Sequence, residues 1–275
     1  MRLPRAKKSF GQNWLVDETV VAKIIVAAEI HPGEHVLEIG PGTGVLTQAL
    51  VDAGASVTAI EADPDLVHDL RVRFGDKIEL IQGDALSFSL RGTQAEACGY
   101  KLIANIPYNI TSDLLKKFLT TDSKPSRMVL MVQKEVADRI TALPPHMSLL
   151  SVVCQLYAHC EKIVNVPAGA FRPIPKIDSA IVRLDLSCST SSTSSTFSTS
   201  PPLESIISIA KAGFSSRRKQ LHHNLSAHLH LSSLQVKEAL ESLKLDPKIR
   251  AESLTVENWK TLTHILAPVE DKTPR

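Results

Sequence analysis

Residues 36–44 read Val36-Leu37-Glu38-Ile39-Gly40-Pro41-Gly42-Thr43-Gly44, which places three glycines in five positions directly after an apolar run. Residues 45–50 then have helical spacing, so the stretch predicts a strand, a tight turn and a helix. Glycine lets such a turn adopt positive φ angles and lets a ligand lie against bare backbone. The N–H groups that open the helix face the turn. The strand end is therefore predicted to hold a nucleotide-sized ligand.

Strand-like segments alternate with helical ones on both sides of this turn. The strand-like segments are residues 55–61, 77–84, 101–108, 127–132, 161–165 and 179–186, and Asp17 is suited to cap a helix that runs to about Ile30. This alternation predicts an α/β domain with a parallel, doubly wound sheet. Ligands bind such sheets outside the carboxyl ends of the strands. Because Gly40, Glu61, Asp84 and Asn105 each close a strand, we expect them to meet at one rim.

A tract of serine and threonine at 187–202 interrupts the chain. It has too little apolar content to compensate for the cost of ordering, so it is predicted to be a flexible linker. Helical patterns alone follow it, at about 203–213, 216–230, 233–243 and 255–266. The predicted organisation is thus a ligand-binding domain over 1–186, a linker over 187–202, and a small all-helical domain over 203–275.

Composition excludes several classes of protein. The net charge of +2 does not by itself indicate nucleic-acid binding, so a local patch of basic residues would be required. The four cysteines, Cys98, Cys154, Cys160 and Cys188, contain no CxxC pair, and the ten histidines show no metal-ligand spacing. No apolar run is long enough to span a membrane, and no apolar signal core follows the basic first residues. We expect a cytoplasmic protein with reduced thiols and no metal.

The glycine turn departs from the dinucleotide fingerprint. That pattern requires a third glycine at position 45, where this chain has Val45. Glu61 lies about 20 residues beyond the first glycine, the spacing at which an acid binds a ribose diol. A nucleoside with an amino-acid tail fits this turn better than a pyrophosphate does, because it needs close backbone approach more than anion binding.

Here the chain resembles the S-adenosylmethionine-dependent methyltransferases of Rossmann-like class I fold, whose first motif residues 38–44 match. The resemblance implies that Glu61 holds the ribose hydroxyls and Asp84 the adenine amine, with apolar residues along the ring. Those apolar residues are Ile60, Ala62 and Ala85.

Five further motifs narrow the resemblance. Asn105-Ile106-Pro107-Tyr108 is similar to the signature of adenine-N6 methyltransferases, and residues 8–15, 133–139, 171–179 and 212–221 also match. Together they resemble the small-subunit ribosomal RNA adenine dimethyltransferase family, called kasugamycin-resistance dimethyltransferases in bacteria, over nearly the whole chain. Trp14 replaces the usual phenylalanine, and the Ser/Thr tract is an insertion.

The resemblance implies a role for each matching residue. The expected catalytic residues are Asn105, Ile106, Pro107, Tyr108 and Phe171. The expected cofactor-binding residues are Asn13, Leu15, Gly40, Gly42, Glu61, Asp84 and Asn105. The expected RNA-binding residues are Lys7, Lys8, Arg172, Lys211, Arg217, Arg218 and Lys219.

The chemistry can also be argued from the residues. An aryl amine is a poor nucleophile, and the amide oxygen of Asn105 and the carbonyl of Ile106 can each accept one of its N–H bonds. Pro107 fixes φ and removes a competing donor. Tyr108 offers one face to the base and Phe171 could cover the other, which would help to offset the cost of extruding the base. Most of the catalysis would then be positioning.

Simpler interpretations remain open for several of these features. Residues 7–16, the N-terminal arm, fold over the ligand in the functional interpretation, but could equally be a frayed basic terminus. Phe171 could be ordinary packing, and the basic segment, residues 211–219, could be an exposed helix start. The chain as a whole could be a binding protein that acts as an assembly checkpoint, or a large-subunit resistance methyltransferase.

The resemblance favours the enzyme. It implies dimethylation of two adjacent adenines in a hairpin loop near the 3′ end of small-subunit rRNA, during ribosome biogenesis. The expected partner is small-subunit rRNA within an assembly intermediate of the subunit. The protein is expected to be a monomer and to bind no membrane.

Overall fold

The computed structural model describes residues 3–7, 10–89, 99–186 and 201–266. Among them the chain forms two compact units. The first runs up to Asp138 and resumes at Tyr157, and the second combines Arg139–Leu156 with the C-terminal helices. Residues 139–156, which the sequence analysis included in the first domain, thus group with the C-terminal helices. Most of the predicted linker, residues 187–200, lies outside the described residues.

The first unit is built on a seven-stranded sheet. Its strands are β2 (His35–Ile39), β3 (Ser56–Glu61), β4 (Ile78–Gln82), β5 (Lys101–Asn105), β6 (Arg127–Gln133), β7 (Ala158–Val166) and β9 (Ser179–Leu186). A separate antiparallel pair joins β1 (Trp14–Leu15) to β8 (Phe171–Arg172). The sheet order is β4-β3-β2-β5-β6-β9-β7.

Six of the seven strands run in one direction, and β9 runs in the opposite direction. Strands β4, β3, β2, β5 and β6 run parallel, whereas β9 pairs antiparallel with both β6 and β7. The expected parallel sheet is therefore a mixed one. The reason is the connection between β7 and β9, which has no crossover helix and so cannot return the chain to a parallel start.

Helices cover the faces of this sheet. They are α1 (Glu18–Ala28), α2 (Val45–Asp52), α3 (Pro64–Phe74) and α4 (Thr111–Thr120), while α5 (Lys134–Ile140) begins in this unit. Asp17 caps α1 by accepting a hydrogen bond from Thr19 N at 2.9 Å, as predicted. Asp63 caps α3 in the same way, from Asp65 N at 3.1 Å. These connections bring the carboxyl ends of β2 to β5 to one rim.

The second unit has its own apolar core. Its helices are α7 (Leu203–Gly213), α8 (Leu221–Leu229), α9 (Ser233–Ser242) and α10 (Val256–Leu266), together with most of α6 (Leu149–Tyr157). Trp259 is fully buried at its centre, and Met147 and Val152 join the same cluster. Helix α8 begins at Leu221, later than the predicted 216. Asn224 donates to the carbonyls of Gly213 and Ser216, which holds the preceding residues as a loop.

Candidate cofactor and target-base site

The glycine turn after β2 has the conformation that its sequence requires. Gly40, Gly42 and Gly44 have φ angles of +67°, +58° and +77°, a region that L side chains avoid. A Cβ on Gly42 would lie 2.9 Å from Trp14 Cζ3, so the bare backbone also makes room for the N-terminal arm. The turn therefore permits close approach on the ligand side and on the arm side.

One cleft collects the predicted strand ends. It is lined by residues 10–15 of the arm, residues 38–43 of the glycine turn, Glu61, Asp84 and residues 105–108. It contains about 980 Å³ of space outside the protein atoms, its open mouth included, which is the scale of a small-molecule site. All of the residues predicted to bind the cofactor line this cleft: Asn13, Leu15, Gly40, Gly42, Glu61, Asp84 and Asn105.

Glu61 connects the glycine turn to the start of α3. Its Oε2 accepts a hydrogen bond from Gly42 N at 3.1 Å and its Oε1 accepts one from Asp63 N at 2.9 Å. The side chain is buried, and burial raises its pKa although the two backbone N–H groups act in the opposite direction. Each oxygen keeps a second lone pair for a further donor, such as a ribose hydroxyl.

Asp63 anchors the N-terminal arm beside this acid. Lys7 Nζ lies 2.6 Å from Asp63 Oδ1 and 2.7 Å from Asp65 Oδ2, and Gln12 Nε2 donates to Asp63 Oδ2 at 2.9 Å. Burial alone would raise the pKa of Asp63, but the hydrogen bonds from Lys7 and Gln12 hold it below its ordinary value. We call this group of Lys7, Gln12, Asp63 and Asp65 the arm latch.

Glu38 lies at the floor of the cleft without a hydrogen-bond partner. Its carboxyl is 1% exposed, and within the described residues neither oxygen meets hydrogen-bond geometry. Burial raises its pKa to about 8; the hydroxyl of Thr47 lowers it by a smaller amount, and Glu61 adds repulsion. An unpartnered buried acid needs a ligand or a proton, and a positively charged cofactor such as S-adenosylmethionine fits it.

The Asn105–Tyr108 loop joins the same cleft from β5. Asn105 Nδ2 donates to the carbonyl of Asn13 at 3.4 Å. The amide oxygen of Asn105 therefore remains as an acceptor for a ligand in the cleft. The N–H of Ile106 donates to the carbonyl of Met131 at 3.2 Å. Tyr108 Oη lies 2.8 Å from Ser179 Oγ, and this contact fixes the ring. Burial raises the pKa of Tyr108, so its hydroxyl stays protonated at neutral pH.

Phe171 does not lie in this cleft. Its side chain is 1% exposed, belongs to the hydrophobic core and lies in β8, where it is paired with Leu15 of β1. Ordinary packing describes these surroundings, and the expected role of Phe171 in covering one face of the base stays a prediction.

The basic residues of the first unit also differ from expectation. Lys7 forms the arm latch instead of being free for a phosphate. Lys8 lies outside the described residues. Arg172 is exposed, and its Nη1 donates to the carbonyls of Gly169 and Phe171.

The basic segment of the second unit is exposed. Lys211 closes α7, and Arg217, Arg218 and Lys219 lie on the loop before α8. Among the described residues, none of these four forms an ion pair. Their guanidinium and ammonium groups therefore remain available to anions.

Sequence reasoning missed Asp63 and the role of Ser179. Both act through partners more than 50 positions away, at Lys7 and Tyr108. The Asp63-Pro64 pair is a helix-start signal that indicates a cap, but no local pattern identifies the lysine that it binds.

Over the part of the chain that the structure describes, no cluster suited to a metal ion and no helix able to cross a membrane is found. Neither Cys154 nor Cys160 forms a disulfide with another described residue, while Cys98 and Cys188 lie outside the described residues.

The mixed sheet, the glycine turn, the acid that ends β3 and the amide that ends β5 define a class I methyltransferase that uses S-adenosylmethionine. The family model for ribosomal RNA adenine dimethylases matches residues 4–268. The chain therefore belongs to the ribosomal RNA adenine dimethylase family.

Relatives and solved structures agree with this assignment. The chain is 42% identical to a "ribosomal RNA small subunit methyltransferase A" of Thermosynechococcus vestitus, over 97% of this chain and 98% of that protein. It is 38% identical to the protein of the same name from Dehalococcoides mccartyi, over 94% and 87%.

Two solved structures are similar over most of their length. The dimethyladenosine transferase from Plasmodium falciparum has a TM-score of 0.75 at 27% identity, over 90% of this chain and 95% of that one. The 23S rRNA methyltransferase ErmE has a TM-score of 0.73 at 27% identity, over 92% and 99%. The fold is thus shared by a dimethyladenosine transferase and a 23S rRNA methyltransferase.

Proposed function

We propose that this protein dimethylates the N6 amines of two adjacent adenines in the 3′-terminal hairpin loop of small-subunit rRNA. It acts as a cytoplasmic monomer on an assembly intermediate of the subunit. The names of its curated relatives support the small subunit as substrate. The observation that carries the chemistry is the meeting of Asn105 with Gly40 and Glu61 in one cleft.

Asn105 and Ile106 position the nucleophile. The amide oxygen of Asn105 and the carbonyl of Ile106 accept the two N–H bonds of the extruded amine, which aims the nitrogen lone pair at the methyl group. Tyr108 stacks on the base, and its hydroxyl is held by Ser179. Stacking of this kind contributes about 1–3 kcal/mol per base.

When bound, S-adenosylmethionine supplies a methyl group on a positively charged sulfur, which needs no further activation. The protein binds it through the backbone of Gly40 and Gly42, with Glu61 at the ribose and Asp84 at the adenine. Asn105 and Ile106 would hold the amine towards that methyl group, and the amine would lose one proton to water for each methyl group that replaces a hydrogen. No side chain is required as a base before attack, so positioning is the main contribution of the protein.

The basic segment and Arg172 contact phosphates of the RNA. Such contacts orient the RNA without reading its sequence. The unit that combines Arg139–Leu156 with the C-terminal helices is thus assigned to RNA binding, and the first unit to cofactor binding and chemistry.

Radiolabelled methyl transfer tests this function. Small and large subunits that lack dimethyladenosine are offered separately to the wild type, to Asn105→Ala, and to the exposed control Asn165→Ala. We expect incorporation into small subunits only, reduced at least about 100-fold in Asn105→Ala, as when one positioned hydrogen-bonding partner is lost from an active site. The control should match the wild type.

Each rival has a distinct outcome in this assay. Incorporation into large subunits would instead assign the activity suggested by the likeness to ErmE. No incorporation at saturating cofactor would leave a binding protein.

A further inference from the structure

The loop that carries Asp84 and Ala85 into the cleft is a tight turn. Asp84 Oδ1 accepts a hydrogen bond from Leu86 N at 2.9 Å, and the carbonyl of Asp84 accepts from the N–H groups of Ser87 and Phe88. Asp84 thus accepts hydrogen bonds from the N–H groups of Leu86, Ser87 and Phe88. We call residues 84–88 the adenine loop, because it presents the acid proposed to bind the adenine amine.

Lys117 reaches this loop from α4. Its Nζ donates to the carbonyl of Ala85 at 2.8 Å, to that of Leu86 at 2.9 Å and to that of Phe88. A lysine ammonium has three donors, so all three are used, each by a backbone carbonyl of one short loop 29 to 32 positions earlier in the chain.

This arrangement differs from an ordinary surface lysine. Lys117 is half-buried, and burial lowers its pKa while the charge of Asp84 acts in the opposite direction. Its neighbour Lys116 is exposed on the same helix. Placing the ammonium against neutral carbonyls removes water from a charge, and no carboxylate contact offsets that cost. The three hydrogen bonds to the carbonyls offset it, and they also hold the loop in place.

We propose that Lys117 is a positioning residue for the adenine end of the cofactor: its ammonium fixes the adenine loop so that Asp84 and Ala85 are preformed in the cleft. The inference rests on the proposed role of Asp84 at the adenine amine. It extends the site to a side chain on α4 that does not itself touch the ligand.

The effect should be specific for the adenine amine. Without the ammonium, the carbonyls of Ala85, Leu86 and Phe88 lose their partner and the loop can turn towards water. The Asp84 carboxylate then no longer stands at a fixed distance from the amine. The affinity lost should be that of this one contact, while the ribose and amino-acid ends of the ligand remain bound.

The experiment compares two ligands in the full-length protein without RNA. Calorimetry measures the dissociation constants of S-adenosylhomocysteine and S-inosylhomocysteine, which carries a carbonyl in place of the adenine amine. In Lys117→Met, which keeps an unbranched side chain but removes the ammonium, we expect binding of the first ligand to weaken about tenfold and the preference between the two to fall towards one. Lys116→Met should retain the wild-type preference, and Asp84→Asn should lose it.

Two further measurements separate positioning from general stability. Lys117→Arg keeps the charge, so it should restore part of the preference. Lys117→Gln, which also lacks the charge, replaces the methionine variant if that variant does not fold. In methyl transfer, Lys117→Met should raise KM for S-adenosylmethionine and leave kcat at saturating cofactor within about twofold.

The proposal is overturned if Lys117→Met keeps the wild-type preference, or if the arginine and methionine variants lose affinity for both ligands equally. Failure of the proposed function has a different signature. If the wild type binds S-adenosylhomocysteine with the expected preference but methylates neither subunit, the assigned substrate is wrong and Lys117 retains its role.

Discussion

Charge is arranged in opposite ways in the cofactor cleft and in the basic segment. In the cleft, Glu38 and Glu61 are 1% and 6% exposed, and Asp63 beside them is 1% exposed. The basic segment, in contrast, is exposed, and its cations have no carboxylate partner among the described residues. One region keeps its charges out of water, and the other leaves them in it.

The difference indicates how each region should respond to solution conditions. Buried charges are weakly screened by salt but strongly coupled to pH, because the cost of ionisation depends on burial. Exposed cations that release counterions on binding RNA are strongly dependent on salt. The contributions of the two regions should therefore be distinguishable when pH and ionic strength are varied independently. The cleft should respond mainly to pH, and the basic segment mainly to salt.

The largest effect is expected at Glu38, and it would confirm that the cleft excludes water. Its pKa is raised to about 8 in the folded protein, above the ordinary value of 4.5. The folded state therefore keeps a proton that the unfolded state has released, and stability is lost as pH rises from about 4.5 to about 8. The loss attributable to this group is about 1.4 kcal/mol per pH unit.

Glu38→Gln isolates this contribution, since glutamine stays neutral at every pH. Denaturant unfolding at a series of pH values should show the variant gaining stability over the wild type as pH rises across that window. Glu135→Gln, at an exposed position, should run parallel to the wild type. A parallel curve for Glu38→Gln would mean that water reaches the carboxyl in the folded state.

The next effect concerns the basic segment. Arg217→Ala combined with Arg218→Ala should weaken binding to small subunits about tenfold at physiological salt. The slope of log affinity against log salt should become shallower by about 1.5, because each lost phosphate contact contributes about 0.7–0.9. Filter binding over a range of salt concentrations measures both quantities.

A matched control comes from the same unit. Lys260 pairs with Glu257 at 2.7 Å, so Lys260→Ala should change neither affinity nor slope. If the double variant keeps the wild-type slope, the exposed arginines do not contact RNA. The contrast between the two regions would then not extend to function.

The sequence predicts the rim well because strand ends depend on local signals. Apolar runs that end in glycine, an acid or, at Asn105, an amide locate β2, β3, β4 and β5 to within a few residues, and parallel strands bring their carboxyl ends together. The helices after the linker follow their apolar periodicity, except where Asn224 holds residues 214–220 as a loop. The positions of strands and helices along the chain can thus be predicted from the pattern of apolar residues.

Side-chain partners are not readable in this way. Lys7 is basic and near a terminus, a pattern that favours phosphate contact, yet its carboxylates lie 56 and 58 positions away. Phe171 opens a two-residue strand, which is too short to show a period of two and so gives no sign of burial. The surroundings of both residues are contacts that only the tertiary fold creates.

The smallest effect is expected at the arm latch, where the two kinds of charge meet. Lys7 is partly exposed, but one of its partners, Asp63, is buried. Lys7→Met should weaken S-adenosylhomocysteine binding about twofold to fivefold, as for a modest ion pair, by loosening the arm over the cleft. The wild-type affinity should fall slightly with added salt and that of the variant should not, whereas Arg5→Met, also on an exposed cation near the arm, should keep the wild-type response. If Lys7→Met and the wild type respond to salt alike, the latch contributes nothing to cofactor retention, and the cleft depends only on its buried acids.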